Sequence, residues 1–596
     1  MDDNLTEFMN KHFSLDREGM DDKVMSLSEA VQRFIRPEMM IHLAFPAYHR
    51  ANALVREIIR QYWGKKPEFT FMCVGFGVQN YAPPLFYGGL LRKAVSTFFG
   101  DAYPTPGPNP IFVEAFQKGE VEFEHWSILT YSSSLLAGAM GIGFMPTNSV
   151  IGSTMAEDNK DSFQVIDDPF HAGVRRGIVK AVNPDVSLIH GLAADRQGNT
   201  IIAPPYCENI YGAYASKNGA MVTVERLVST EFIRMYSHMV KIPGHAVRSV
   251  SVVPFGAHPL GVSSAGIPEI QVYGDDYDFL MDARKACRDK KKLDQWLEKW
   301  VLGCSDQDEY LRRLGGAKVR QLKGKASPDA WRYDSEAFAK VDKKSDYNPS
   351  EMMTIAMARC LIKKILDNKY STILAGIGQA NLAAWVANYQ LKELHNYPLN
   401  LIAEVGMYGY APRPGDPFVF NHGNVPSAKL LTDSFQTLGM MVGGEMNTCI
   451  GALGSGMVDK EGNMNSTVVT PNILISGSGG GNDTASSAQE VIASLTHSRE
   501  RVVDRVPYVT CPGTRVKTVV TTLGVFEKLG DDRELTLTQL LPSVENSSVE
   551  AKVKEIKEKT GWDLKVHPDV QFMAQPTMEE LVMIRLFDPH GYFIGR

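Results

Sequence analysis

Glu404 ends the apolar run Leu399-Asn400-Leu401-Ile402-Ala403 and precedes Val405-Gly406-Met407-Tyr408-Gly409. The run has strand length and composition. The glycines after it, Gly406 first, break the strand and let backbone approach a ligand closely. A carboxylate so placed can act as a nucleophile or a base; it can equally end a strand in solvent or cap the next helix. A second candidate lies downstream in Ile473-Leu474-Ile475-Ser476-Gly477-Ser478-Gly479-Gly480-Gly481-Asn482-Asp483. Backbone N–H groups of a glycine loop can point at an oxyanion with no side chain in the way, although such runs also mark plain turns. A third, Gly376-Ile377-Gly378-Gln379-Ala380-Asn381, follows Ile373-Leu374-Ala375 and opens a helix. That context suits an anion-binding loop or a simple strand-to-helix turn. It lacks the third glycine of a dinucleotide fingerprint and the lysine of a P-loop, which argues against NAD or ATP.

The elements that must position these groups follow from periodicity. Helical spacing is expected over 26–36, with Ser26 or Ser28 as cap, and over 51–63; a short strand is expected between them at 39–45. The same opening recurs as a helix at 352–366, a strand at 372–375 and a helix at 382–394. A helix is also expected at 484–495. Short apolar strands alternating with amphipathic helices predict an α/β protein with a mostly parallel, doubly wound sheet in each half. Ligands on such sheets sit at the carboxyl ends of strands, where Glu404 and Gly477–Gly481 both fall. Asp195-Arg196-Gln197-Gly198-Asn199 and Asp459-Lys460-Glu461-Gly462-Asn463 share the pattern D-x-x-G-N. Asp and Gly at this spacing favour a tight turn between strands, and two copies suggest two related halves.

Composition bounds the rest. The chain has 596 residues, enough for more than one domain, and a formal charge of −6, which gives no support for nucleic-acid binding. Seven cysteines are scattered without a C-x-x-C pair, so neither a zinc ribbon nor a disulfide framework is indicated, and no metal site is expected. The N-terminus begins with acids and has no apolar signal region. No stretch is apolar enough to span a bilayer: 129–150 comes nearest but carries Ser, Gly, Thr and Asn and reads as buried helix, loop and strand. A cytoplasmic location without membrane contact is the default expectation. The first 25 residues read as a polar arm. Residues 321–350 turn polar and charged, with Lys323-Gly324-Lys325-Ala326-Ser327-Pro328 and Lys343-Lys344-Ser345-Asp346-Tyr347-Asn348-Pro349, and read as a linker between domains at 26–320 and 351–596.

Three strings in order after Glu404 carry a family resemblance. They are Gly454-Ser455-Gly456-Met457-Val458-Asp459, the Ser476–Gly481 loop, and Val506-Pro507-Tyr508-Val509-Thr510-Cys511-Pro512-Gly513. They resemble the β-subunit of glutaconate CoA-transferase and related family I CoA-transferases. Val186-Ser187-Leu188-Ile189-His190-Gly191-Leu192-Ala193-Ala194-Asp195, Val252-Val253-Pro254-Phe255-Gly256-Ala257-His258-Pro259 and Glu298-Lys299-Trp300-Val301 resemble the α-subunit. The resemblance spans nearly the whole chain, as two subunits fused into one. It implies two related, open, mostly parallel doubly wound sheets of the CoA-transferase type packed against each other.

By the same resemblance Glu404 is the covalent nucleophile. Gly479 and Gly480 supply the oxyanion site, with Gly406 and Gly107 beside the substrate and Gly376, Gly378 and Gly456 toward coenzyme A. Acyl-CoA and small carboxylates are then the substrates, coenzyme A arrives as a thioester, no tightly bound cofactor is needed, and a homo-oligomer of the fused chain is expected. His258 reads either as a structural hydrogen-bonder or as a substrate-edge residue. The sequence also departs from the pattern. Leu43-Ala44-Phe45-Pro46-Ala47-Tyr48 stands where the family has a Gly-Gly-Phe loop. The family's substrate-holding Asn-Ser-Gly falls near Pro104-Thr105-Pro106-Gly107-Pro108-Asn109-Pro110, with Gly107 the nearest counterpart and no hydroxyl secured there. That puts dicarboxylate recognition in doubt, while Tyr81, Phe98, Phe99 and Tyr103 point to a bulkier, more apolar acyl group. Competing readings are an acyl-CoA hydrolase, a ring-opening C–C hydrolase or a decarboxylase on the same scaffold, and, more distantly, a ligand-sensing domain without catalysis.

Overall fold

The computed structural model describes residues 3–13, 21–103, 106–264, 266–470, 472–543 and 548–595. In the first half, α1 (Leu27–Phe34) is capped by Ser26, whose Oγ accepts the Glu29 amide at 3.2 Å. Strand β1 (Met40–Leu43), helix α2 (Asn52–Tyr62) and strands β2 (Phe69–Phe76), β3 (Leu91–Phe99) and β4 (Glu122–His125) follow. Helix α3 (Ile128–Met140) then precedes β5 (Val186–Ala194), β6 (Ala220–Leu227) and β7 (Val247–Val252). These strands form one parallel sheet in the spatial order β7-β6-β5-β1-β2-β3-β4. Strands β2 and β5 are buried along their whole length, as strands covered on both faces by helices must be.

The second half opens with α4 (Pro349–Asn368). Its start is fixed by a reciprocal capping box between Asn348 and Glu351, with Pro349 in the first turn. Strand β8 (Thr372–Ala375), helix α5 (Gln379–His395), and strands β9 (Asn400–Ala403), β10 (Cys449–Gly454), β11 (Glu490–Leu495) and β12 (Val516–Thr521) complete its parallel core. Their order is β12-β11-β10-β8-β9. This repeats β7-β6-β5-β1-β2 strand for strand and in the same chain order. Antiparallel strands extend both edges of the second sheet.

The D-x-x-G-N turns are equivalent in atomic detail. Asp195 accepts the Asn199 amide and side-chain amide at 2.9 Å each; Asp459 accepts those of Asn463 at 2.9 and 3.0 Å. Each turn needs a left-handed glycine, Gly198 (φ +92) or Gly462 (φ +75). Each Asn side-chain oxygen (Oδ1) then accepts an amide from a Pro-Gly turn entering the last parallel strand, Gly244 at 2.9 Å and Gly513 at 2.8 Å. Two related halves, read in the sequence from one short pattern, therefore share strand order, turn and strand entry.

The helix expected over 484–495 is not formed as such. Residues Gly481–Ser487 are a short helix, α6, and β11 starts at Glu490. Val491-Ile492-Ala493 is a fully buried run, and periodicity alone does not separate such a strand from a buried helix. Residues 316–339 contain helices Gly316–Lys325 and Ser335–Ala339. The carbonyls of Asp342, Lys344 and Asp346 accept hydrogen bonds from buried Arg585, which also pairs with Glu351 at 2.7 Å. The N-terminal helix Asp3–Phe13 buries none of its residues. Among the described residues no helix is long and apolar enough to cross a membrane.

Candidate active site

The two halves meet at the carboxyl edges of their sheets. The glycine loop before α6 joins the end of β3: Phe99 donates to the Ser476 carbonyl at 2.9 Å, and Gly479 to the Thr97 carbonyl at 3.0 Å. The amides opening α3 close the same seam, Ile128 onto the Gly479 carbonyl at 3.1 Å and Leu129 onto Asp483 at 3.0 Å. On the other side of Glu404, the Cys207 amide donates to the Val405 carbonyl at 3.0 Å. Between these contacts lies a cavity of ≈ 450 Å³ whose walls come from both halves. A break in the second sheet helps to open it. Where β5 runs unbroken to Ala194, β10 stops at Gly454, and Gly454, Ser455 and Gly456 line the cavity before the chain resumes as strand Met457–Asp459.

Glu404 stands in this wall, half-buried, directly after β9. Its carboxyl is held at one oxygen: the Gly480 amide donates to Oε2 at 3.0 Å. Its backbone carbonyl accepts the Thr437 hydroxyl at 2.7 Å. Burial pushes the carboxyl up to about 7; the Gly480 amide opposes that shift and the charge of Asp483 adds to it. Gly480 has no substitute at this distance, since a Cβ there would lie 2.4 Å from Glu404 Oε2.

The remaining expected residues divide. Gly107, Gly376, Gly456, Gly479 and Gly480 all line the cavity. Gly406 and Gly378 are not among its lining residues. Gly406 turns the chain behind Glu404 at φ +122, gives its amide to the Ala403 carbonyl at 3.1 Å, and packs on the Thr432 backbone. Gly378 starts α5 at φ +114. The Gly479 amide is taken by Thr97, so the amide found at the Glu404 carboxyl is that of Gly480.

Gly107 forms a two-bond bridge with buried Asp101; Pro104 and Thr105 of the proline run lie outside the described residues. Phe98 and Tyr103 face the cavity as expected, but Phe99 and Tyr81 do not. Phe99 packs in the core against Phe76 and Phe123, and the Tyr81 hydroxyl bonds Tyr310. His258 is fully buried between the Tyr310 hydroxyl at 2.6 Å and Asp276 at 3.2 Å, away from the cavity, which is the structural alternative.

The sequence reading missed Arg50, Gln79, Asp275, Tyr277 and Phe418, which also line the cavity. Tyr277 stacks on Tyr103 with centroids 3.9 Å apart. Burial pushes Asp275, and Asp416 beside Tyr277, up to about 7. None of these sits in a pattern that marks it; each is brought in by a long-range fold contact.

Comparison with known proteins agrees with this architecture. Residues 24–252 match the family model described as Coenzyme A transferase. The A subunit of glutaconate CoA-transferase from Acidaminococcus fermentans is 27% identical over 319 residues, 50% of this chain and 94% of that protein. The B subunit of 3-oxoadipate CoA-transferase from Pseudomonas knackmussii is 28% identical over 271 residues, 41% of this chain and 94% of that protein. The family match lies within the first half of the chain, and the two relatives together cover both halves. The chain unites in one polypeptide what these relatives carry as separate subunits. The crystal structure of an acyl-CoA transferase from E. coli O157:H7, a thioester complex with CoA, shares the fold over 97% of this chain and 98% of its own, with TM-score 0.64 and 16% identity.

Proposed function

We propose that this chain transfers CoA from an acyl-CoA to an acceptor carboxylate through a glutamyl-CoA thioester on Glu404, in the manner of family I, glutaconate-type transferases. The observation that carries the reading is the hydrogen bond from Gly480 to Glu404 Oε2 in a cavity shared by the two halves. It leaves Oε1 as the attacking atom. Oε1 adds to the thioester carbonyl, the carbon–sulfur bond breaks, and CoA departs as thiolate, leaving an acyl-glutamyl anhydride. The thiolate then attacks the Glu404 carbonyl carbon. The first carboxylate leaves with the bridging oxygen, and Oε2 becomes the carbonyl oxygen of the glutamyl-CoA thioester. A second carboxylate runs both steps backwards. Charge develops on Oε2 each time the Glu404 carbon becomes tetrahedral, 3.0 Å from the Gly480 amide; one such donor commonly contributes about 3 kcal/mol. One thioester replaces another, so the exchange is close to isoenergetic. Two half-reactions on one nucleophile require ping-pong kinetics.

The test is isotope exchange. Labelled acid should pass into its own acyl-CoA with no second acid present, and initial-rate plots should be parallel. Exchange that persists undiminished in Glu404→Gln sinks the mechanism, as does thioester loss to water alone.

A further inference from the structure

The turn that carries Gly480 is held from the first half of the chain. The Gly479 amide lies on the Thr97 carbonyl at 3.0 Å and the Ile128 amide on the Gly479 carbonyl at 3.1 Å. The Val150 amide lies on Asn482 Oδ1 at 2.7 Å and the Leu129 amide on Asp483 Oδ2 at 3.0 Å. Of these partners only Asp483 is ionisable. It is fully buried in α6, three residues after Gly480, and is not among the residues lining the cavity. For α3 the same bonds complete a helix start. The first amides of a helix have no partner within it. Ile128 and Leu129 find theirs across the seam, on Gly479 and Asp483, while Thr130 finds its own on Ser127 Oγ at 3.4 Å. A carboxylate at that end of a helix is also favoured by the helix dipole.

We propose that Asp483 is a positioning residue for the nucleophile: by gripping the first turn of α3 from across the seam, it fixes the turn whose Gly480 amide meets Glu404, so that the site is complete only when the two halves are docked. The inference rests on the CoA-transfer reading of this cavity. Asp483 acts through Gly480, and a second effect comes with its charge. It is a like charge toward Glu404 and raises the Glu404 carboxyl, behind the larger effect of burial. Burial raises Asp483 as well, and the Leu129 amide opposes that rise. The other titratable groups at this place are thiols: Cys207, near Glu404 from the first half, and Cys511, near Asp483. Burial pushes both well up, so they stay neutral and leave the two acids to set the local charge.

The experiment measures exchange of a labelled acid into its own acyl-CoA, as kcat and KM from pH 5 to 8, with wild type, Asp483→Ala and Asp483→Asn. Melting temperature of each variant reports folding. Asparagine offers the Leu129 amide an acceptor oxygen in the same place, without the charge. Asp483→Ala should lower the plateau kcat by about tenfold or more, with KM within about threefold of wild type, because the Gly480 amide is no longer held in line. Asp483→Asn should restore kcat to within about threefold of wild type. The acid limb of its pH profile should move to lower pH, because a like charge facing Glu404 is gone; a merely structural role would leave that limb in place. If the alanine variant does not fold, the limb of the asparagine variant decides the matter. A folded Asp483→Ala protein exchanging within about threefold of wild type overturns the assignment. So does an Asp483→Asn protein as slow as the alanine variant, or one whose acid limb coincides with that of wild type. No exchange by wild type at any pH overturns the CoA-transfer reading itself, and this inference with it.

Discussion

Replacing Gly480 by alanine separates position from presence at the proposed nucleophile. Gly480 lies at φ −86, ψ 7, where alanine is tolerated, so the backbone has no reason to move. The added Cβ would lie 2.4 Å from Glu404 Oε2 and 3.3 Å from the Glu404 Cβ. An ordinary carbon–oxygen contact is about 1 Å longer than the first of these, and the carboxyl is the mobile partner. Glu404 must therefore swing by about 1 Å and lose its alignment with the Gly480 amide. A misplacement of that size costs about 10²-fold in rate, and loss of the oxyanion donor brings the fall toward about 10³-fold. The assay is acid-into-acyl-CoA exchange at saturating substrate, with thermal melting in parallel. The expected result is a kcat lower by about 10²–10³ with melting essentially unchanged. Exchange within threefold of wild type in a folded Gly480→Ala protein would refute the reasoning, because Glu404 could then work from a place the glycine does not define.

Other consequences follow from the same contacts. Glu404 has its folded pKa raised from 4.5 to about 7, so wild-type stability should fall as pH rises between those values. Glu404→Gln removes that loss and should be more stable than wild type at pH 8 by on the order of 1–3 kcal/mol, with no difference at pH 4, as read by denaturant titration. Because the attacking group must be ionised, exchange should rise with pH to a plateau just above 7; a flat profile from pH 5 to 8 would contradict this. Gly406→Ala places a Cβ 2.1 Å from the Thr432 carbonyl at φ +122 and should cost about 2–4 kcal/mol in chemical denaturation. Asp195→Ala and Asp459→Ala each remove the acceptor of two Asn hydrogen bonds in equivalent turns. They should cost similar amounts, about 1–3 kcal/mol each, and a large asymmetry would argue against equivalence.

Much of this was legible in the chain because it depends on local grammar. Ser26 sits at a helix start with the hydroxyl that caps it, and Asp195 and Asp459 each precede a glycine and an asparagine at turn spacing. The strand leading to Glu404 and the glycine loop at 477–481 announced themselves as an apolar run and a gap in side chains. What was not legible depends on contacts between distant segments. Nothing near Gly479 in sequence tells that Thr97 claims its amide, and nothing near Arg50 tells that it is buried on the cavity wall. Val491-Ile492-Ala493 is apolar in every register, so its strand state is set by pairing with β10 and β12 rather than by its own pattern. The same holds for Tyr81, held by the distant Tyr310, and for Phe99, which alternation along β3 turns to the core while Phe98 meets the cavity.

The most direct test is covalent capture. The protein is incubated with an acyl-CoA in the absence of acceptor acid, quenched, digested and mapped by mass. The account predicts a CoA-sized adduct on the peptide containing Glu404, removed by hydroxylamine and absent from Glu404→Gln. Turnover with no adduct, or with the adduct on any other residue, would contradict it.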